Sequence, residues 1–97
     1  MYQPTTIQQF NDFVASPNET LVYYTATWCG PCKKVTPVIA ASTKRRMKVD
    51  AGENEDIFVH RQVQTIPCIE VWRDGKLLEK VEGHERVTMR LQKTDQS

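Results

Sequence analysis

The sequence predicts an α/β fold, a central mixed sheet of about four strands with helices on both faces. Three observations carry that prediction. An apolar run, Leu21-Val22-Tyr23-Tyr24, is followed closely by a helix-compatible stretch from Lys33 to Lys44. A second run, Cys68-Ile69-Glu70-Val71-Trp72, turns back through Asp74-Gly75 into Leu77 to Val81. Segments of helical period flank and separate these runs, which gives the order αβα(β)αββα. A strand between two helices, then a hairpin and a closing helix, means one mixed sheet covered on both sides. With 97 residues the chain is expected to form one domain, 1–97, around a modest core.

Each element has a local reason. Thr5-Thr6 places a capping hydroxyl before Ile7, Phe10, Phe13 and Val14, an apolar stripe at helical spacing. Ser16-Pro17-Asn18 ends that helix. Leu21 to Thr25 is short, apolar and aromatic, as a buried strand is. The next helix turns Val35, Val38 and Ile39 inward and contains Pro37, which deletes a backbone bond and predicts a kink. The basic cluster Lys44-Arg45-Arg46-Met47-Lys48 leads into Val49 and reads as a solvated edge strand guarded by lysines. Asn54 is placed to cap a helix over Glu55 to Gln62, with acids in its first turn and Ile57, Phe58 and Val63 apolar. Ile66-Pro67 opens the Cys68 strand, and Asp74-Gly75 is a hairpin turn. After the break at Gly83, Glu85 to Lys93 forms a short helix carrying Val87 and Leu91, with a frayed polar end from Lys93 onward.

The chemistry concentrates in Trp28-Cys29-Gly30-Pro31-Cys32. A Cys-x-x-Cys pair where a strand passes into a helix is a redox pattern. Cys29 then lies at the helix N-terminus, where unpaired N–H groups and the dipole favour an anion. The dipole contributes about 0.3–1 kcal/mol, and up to ~2 when partly buried. At ~1.36 kcal/mol per pKa unit this lowers a thiol from ~8.5 by roughly one unit. Hydrogen bonds from the Cys32 N–H and S–H would lower Cys29 further. Pro31 suits an early helical position, Gly30 clears the approach to Cys29, and Trp28 adds a flat apolar shoulder. Zinc is the competing use. It normally takes four ligands, and only Cys68, His60 and His84 are available to complete a site.

Composition narrows the remaining classes. A net charge of +1 gives no electrostatic pull toward nucleic acid or an anionic membrane. No apolar stretch approaches the ~20 residues that span a bilayer. Met1-Tyr2-Gln3-Pro4 lacks the basic and apolar regions of a signal peptide. Three cysteines, an odd count, argue against a purely structural disulfide framework, so a reducing cytoplasmic setting is expected.

Taken together, these residues resemble the thioredoxin family. The match comprises Trp28-Cys29-Gly30-Pro31-Cys32-Lys33, Pro37 five residues beyond Cys32, Ile66-Pro67 before the hairpin, Asp74-Gly75 in its turn and Gly83 after it. It runs from about Thr6 to Leu91. The resemblance implies a thioredoxin fold and a cis bond at Ile66–Pro67, which costs only about 0.5–1 kcal/mol over trans. A plain trans proline opening the strand is the alternative. It further implies a protein thiol–disulfide oxidoreductase in which Cys29 attacks a substrate disulfide and Cys32 resolves the mixed disulfide. Trp28, Gly30, Pro31 and Pro67 would support the active site. Trp28, Ile66, Pro67 and Gly83 would bind substrate, with Gly30 and Pro31 on the same surface and Glu82 and His84 at its border. No bound cofactor or metal is implied. The implied partners are disulfide-containing proteins and a flavin-dependent thioredoxin reductase, and the chain is expected to be a monomer. A glutathione donor is the alternative, which the Gly-Pro between the cysteines disfavours. An oxidase or isomerase, or a thioredoxin-fold binding module marked by the basic cluster, remain the other readings.

Three departures from the family pattern matter. Where the family usually has a buried aspartate, six residues before the first cysteine, this chain has Tyr23. A phenol, ordinarily of pKa ~10, is a poor base at neutral pH, so Cys32 should lose its proton more slowly or through water. Glu70 and Asp50 are the substitutes to consider, although Glu70 reads first as an exposed or edge-facing residue and Asp50 as a loop or cap residue. The segment from Pro37 to Asp50 is short for the family, which implies trimmed elements and a reduced or missing N-terminal strand. Cys68 follows the loop proline where threonine is common, and is expected to be a buried structural thiol.

Overall fold

Thr6 starts the first helix. Its hydroxyl accepts the Gln9 N–H at 3.1 Å and caps α1 (Ile7–Val14). Phe10 and Val14, four residues apart, form the buried face of α1. Then follow β1 (Thr20–Thr25), α2 (Cys32–Ala41), β2 (Arg45–Asp50), α3 (Glu55–His60), β3 (Cys68–Arg73), β4 (Lys76–Glu82) and α4 (His84–Gln96). This is the order the sequence predicts. The chain is described by a computed structural model over residues 1–96.

The four strands lie in the order β2-β1-β3-β4, with β1 parallel to β2 and antiparallel to β3, and β4 antiparallel to β3. β1 is buried at every residue because it is paired on both edges and covered on both faces. Its side chains alternate between two cores. Val22 and Tyr24 join Phe10, Ile57 and Trp72 beneath α1 and α3. Leu21 and Tyr23 join Val35, Ile39, Val87 and Leu91 beneath α2 and α4. The N-terminal strand is reduced to one parallel bridge between Tyr2 and Met47 at the outer edge of β2.

The hairpin carries its own explanation. Asp74 and Gly75 both have positive φ, 56° and 73°, the backbone of a type I′ turn whose twist matches the strands. The turn also docks on the end of α1, with Asp74 N–H donating to Ser16 O and Gly75 N–H to Val14 O.

Element boundaries differ from expectation where a tertiary contact intervenes. α2 stops at Ala41 instead of reaching Lys44, because Ser42 turns extended and the Arg46 guanidinium reaches back to the Ile39 and Ala40 carbonyls at 2.9 and 2.6 Å. A cation there satisfies orphan carbonyls and the helix dipole. Val38 is exposed, not inward: α2 buries Cys32, Val35 and Ile39, and Val38 sits about 100° round the helix from that face. α3 ends at His60 in a Schellman motif, with Gln62 at φ 55° and Val63 N–H returning to Phe58 O. Asn54 occupies the N-cap of α3 but spends its side chain elsewhere, donating to Pro4 O and accepting from Asp50 N–H. α4 starts at His84 and continues past Lys93 to Gln96, since no proline or glycine follows Leu91 to stop it. The end of the expected frayed tail, Ser97, lies outside the described residues.

Glu70 is the largest correction. It is fully buried, neither exposed nor edge-facing. On β3 it shares parity with Cys68 and Trp72 and so faces α1 and α3. There it accepts from the Tyr24 hydroxyl, from Trp72 Nε1 at 3.1 Å and from Arg61 Nη2 at 2.8 Å. Arg61 also lies over the Trp72 ring, 4.8 Å from its centroid. The sheet separates this carboxylate from the face that α2 covers, so Glu70 is no proton acceptor for Cys32. A buried ion pair is costly to break, because the surviving charge is left uncompensated. Arg61→Ala is expected to lower the unfolding free energy by about 3 kcal/mol, read as a lower urea midpoint at unchanged m-value. A loss below about 1 kcal/mol would mean that Tyr24 and Trp72 suffice to hold the carboxylate.

Candidate active site

β1 ends at Thr25, and the turn beyond it closes through the Cys29 N–H on Ala26 O at 3.1 Å. Pro31 takes the N-cap position of α2 with φ −61°, and Cys32 is its first residue. Cys29 therefore sits at the helix N-terminus, and the Cys32 N–H points at its sulfur at 3.3 Å. The two cysteines are joined as a disulfide with their Cα atoms 5.3 Å apart, so this is the oxidised form. On reduction the same N–H and the dipole favour a thiolate at Cys29. Both sulfurs are sheltered: Cys29 is 7% and Cys32 2% exposed.

The predicted surroundings assemble around this pair, with one qualification. Trp28 is 68% exposed. Its ring lies over Gly52, where an added Cβ would stand 3.5 Å from the indole. Gly30 and Pro31 are exposed beside it. The Ile66–Pro67 bond is cis, as the resemblance implies, and Ile66 packs against Ala26, Cys29 and Cys32. Pro67 itself is buried, its carbonyl accepting the Gly83 N–H at 3.0 Å. Gly83 has φ 98°, a conformation that suits glycine. Glu82 and His84 flank Gly83 around a separate shallow recess.

Beneath α2, Tyr23 is fully buried. Its hydroxyl lies 3.2 Å from Cys32 O and 2.9 Å from Thr36 Oγ1, while Thr36 Oγ1 is 2.9 Å from the same carbonyl. Two hydroxyl protons serve three contacts, so the phenol acts as a structural donor to the first turn of α2.

A cleft of about 170 Å³ opens beside the disulfide at the carboxyl ends of β1 and β2. Thr25, Cys29, Cys32, Lys33, Thr36, Lys48 and Asp50 are among its walls. Asp50 is not a loop residue but the buried last residue of β2, and it fills the expected capping role, its Oδ1 accepting the Gly52 and Glu53 N–H groups at 2.8 and 3.3 Å. Lys48 and Thr36 are members that sequence reasoning missed. The signal for Lys48 was the parity of β2, in which Arg46, Lys48 and Asp50 share one side while Met47 and Val49 enter the opposite core; Thr36 stands one helical turn beyond Cys32 on α2. Among the described residues, no three His, Cys, Asp or Glu side chains are grouped to hold a metal ion.

Strand, turn, dithiol and cis-proline loop together define a Cys-x-x-Cys thiol–disulfide exchange protein. Comparison with known proteins narrows the class. The thioredoxin family model matches residues 2–95. Thioredoxin H1 of Arabidopsis thaliana is 30% identical over 90 residues, covering 84% of this chain and 79% of that protein. A thioredoxin of Staphylococcus aureus is 38% identical over 71 residues, covering 67% of this chain and 68% of its own. The crystal structure of thioredoxin from Trypanosoma brucei brucei superposes with a TM-score of 0.85 at 29% identity, covering 99% of this chain and 88% of that one. The chain belongs to the thioredoxin family. It is a thiol–disulfide oxidoreductase with a Cys29–Cys32 pair, and the family implies disulfide substrates and a reductase that recharges it.

Cys68, the remaining cysteine, is fully buried as expected. Burial pushes its thiol up to about 12, and the negative charge of Glu70 adds to the shift. The folded chain thus keeps a proton that a thiol with the ordinary value of 9.0 gives up. That difference stabilises the fold fully below pH 9.0 and is lost as pH rises toward about 12. Unfolding free energy should fall over that window with a slope from this thiol approaching ~1.36 kcal/mol per pH unit. Cys68→Ala should remove that component. Urea titrations of both oxidised proteins between about pH 8 and pH 10.5 test this, and identical pH slopes would refute it.

Proposed function

We propose that the chain is a reductant of protein disulfides, with Cys29 as the attacking and Cys32 as the resolving thiol. The observation that carries this reading is the Cys32 N–H directed at the Cys29 sulfur at the start of α2. It favours charge on the first cysteine and leaves the second, more deeply buried, to act from within. The Cys29 thiolate attacks one sulfur of the substrate disulfide and expels the other, forming a mixed disulfide. Cys32 then attacks Cys29, releasing reduced substrate and restoring the pair seen here. Trp28, Gly30, Pro31, Ile66 and Gly83 form the docking surface, and the buried Pro67 sets its loop.

The chain works as a single domain and a monomer in the cytoplasm, recharged by a flavin-dependent thioredoxin reductase. Three cysteines, two joined in one exchange disulfide and the third, Cys68, a free thiol, support the reducing compartment. Among the described residues no helix is long and apolar enough to cross a membrane. A binding module built on the basic cluster finds less support. Arg45 stacks over Phe13 and donates to its carbonyl, and Arg46 is occupied at the end of α2.

Two measurements test the proposal. Cys29→Ser should abolish disulfide reduction, while Cys32→Ser should accumulate a mixed disulfide on Cys29; full activity of Cys29→Ser would overturn the assignment. The Cys29–Cys32 reduction potential should fall near or below about −250 mV, the general reference value for thioredoxin being about −270 mV. A potential above about −200 mV would mark an oxidase or isomerase instead.

A further inference from the structure

We propose that Asp50 accepts the Cys32 proton, through water in the cleft, when Cys32 resolves the mixed disulfide. This rests on the proposed division of labour between Cys29 and Cys32. Resolution needs a thiolate, and a thiol 2% exposed among apolar neighbours resists ionisation. The proton therefore needs a defined destination. Tyr23 is unsuited, since its hydroxyl is committed to the Cys32 carbonyl and Thr36. Glu70 lies across the sheet, tied to Arg61, Tyr24 and Trp72.

The cleft supplies the route. It touches both cysteines, and its volume of about 170 Å³ admits several waters. Among the described residues Asp50 is the only carboxylate on its walls. Asp50 is 8% exposed and is fixed in place by the Gly52 and Glu53 N–H groups on Oδ1. Oδ2 has no protein partner among the described residues. Asp50 stands beside Thr25 in the parallel register of β1 and β2, at the strand ends from which the Cys29 turn departs. The other titratable groups facing the cleft are Lys33 from α2, Lys48 from β2 and the two thiols.

The step balances. The Cys32 proton passes by water to Asp50, and the Cys32 thiolate attacks the Cys29 sulfur. The bond between Cys29 and the substrate sulfur breaks, and its electron pair leaves on that sulfur, which takes a proton from solvent. The dithiol is oxidised by two electrons and the substrate disulfide is reduced by two.

Asp50→Asn keeps an oxygen for the Gly52 and Glu53 N–H groups and removes the proton acceptor. Single-turnover reaction with a disulfide-bonded peptide, quenched in acid, separates formation of the mixed disulfide from its decay. Formation should stay within about twofold of the parent, and decay should slow about tenfold near pH 7. The deficit should close as pH rises through the ionisation of Cys32. In Asp50→Ala, added formate should restore decay without altering formation. Unchanged decay in Asp50→Asn, or formation and decay slowed alike at every pH, would overturn the proposal. A Cys32→Ser protein that traps no mixed disulfide on Cys29 would overturn instead the reading beneath it.

Discussion

β1 is the fixed point of this molecule. Six consecutive residues are buried, the strand is paired along both edges, and its side chains feed two cores in alternation. A strand held in this way cannot slip by one residue without exchanging its two faces. Its carboxyl end is therefore a rigid platform, and the turn carrying Cys29 departs from it. The adjacent tyrosines show what the alternation achieves. Tyr23 points one way and ties β1 to the first turn of α2, while Tyr24 points the other and caps the carboxylate of Glu70. Neighbours in sequence thus serve separate halves of the structure. The redox pair rests on one and the buried ionic network on the other.

That network has a cost and a consequence. Placing Glu70 and Arg61 against the sheet sacrifices hydration, and similar pairs elsewhere add little over a well-packed apolar core. What it provides is specificity of arrangement. Arg61 is the residue after α3, Trp72 is on β3 and Tyr24 is on β1, so three elements share one carboxylate. The Tyr24 phenol is held in its protonated form well above its usual range, chiefly by burial and then by the charge of Glu70. Cys68 is kept protonated by the same two causes. This face is thereby silent toward thiol chemistry, although it contains a cysteine next to the cis-proline loop.

The residues that were legible in the sequence are those whose reasons are local. Cys29 to Cys32, the Thr6 cap, the Asp74-Gly75 turn and the placing of Pro37 within a helix each depend on a few neighbouring residues, and the structure agrees with each. The misreadings involve partners far along the chain. Glu70 looked out of place in an apolar strand because Arg61 and Tyr24, nine and 46 residues away, cannot be paired with it by periodicity. The end of α2 was overrun because Arg46 terminates it from the following strand. Asn54 looked like a simple cap, whereas its amide is committed to Pro4, 50 residues earlier. The cleft shares this character. Its polar wall comes from alternate residues of an edge strand, and their sidedness becomes visible only once Met47 and Val49 are seen to enter the opposite core.

Tyr23 shows how one position trades chemistry for order. A carboxylate buried beneath α2 could take a proton, but it would need a compensating charge or several donors in a place that Val35, Ile39 and Ile69 keep apolar. A phenol avoids that cost. It fills the volume with a ring, presents one hydroxyl where Cys32 O and Thr36 can use it, and leaves no buried polar side-chain atom unpartnered among the described residues. The gain is a firmly seated helix start, and with it a fixed Cys29–Cys32 geometry. The loss is a proton acceptor on the protein side of Cys32. Proton traffic is then left to the open side of the disulfide, where β1 and β2 end and the walls carry hydroxyls, ammonium groups and a carboxylate. Exchange chemistry tolerates that displacement, because a proton can cross a few waters while the sulfur atoms must meet directly.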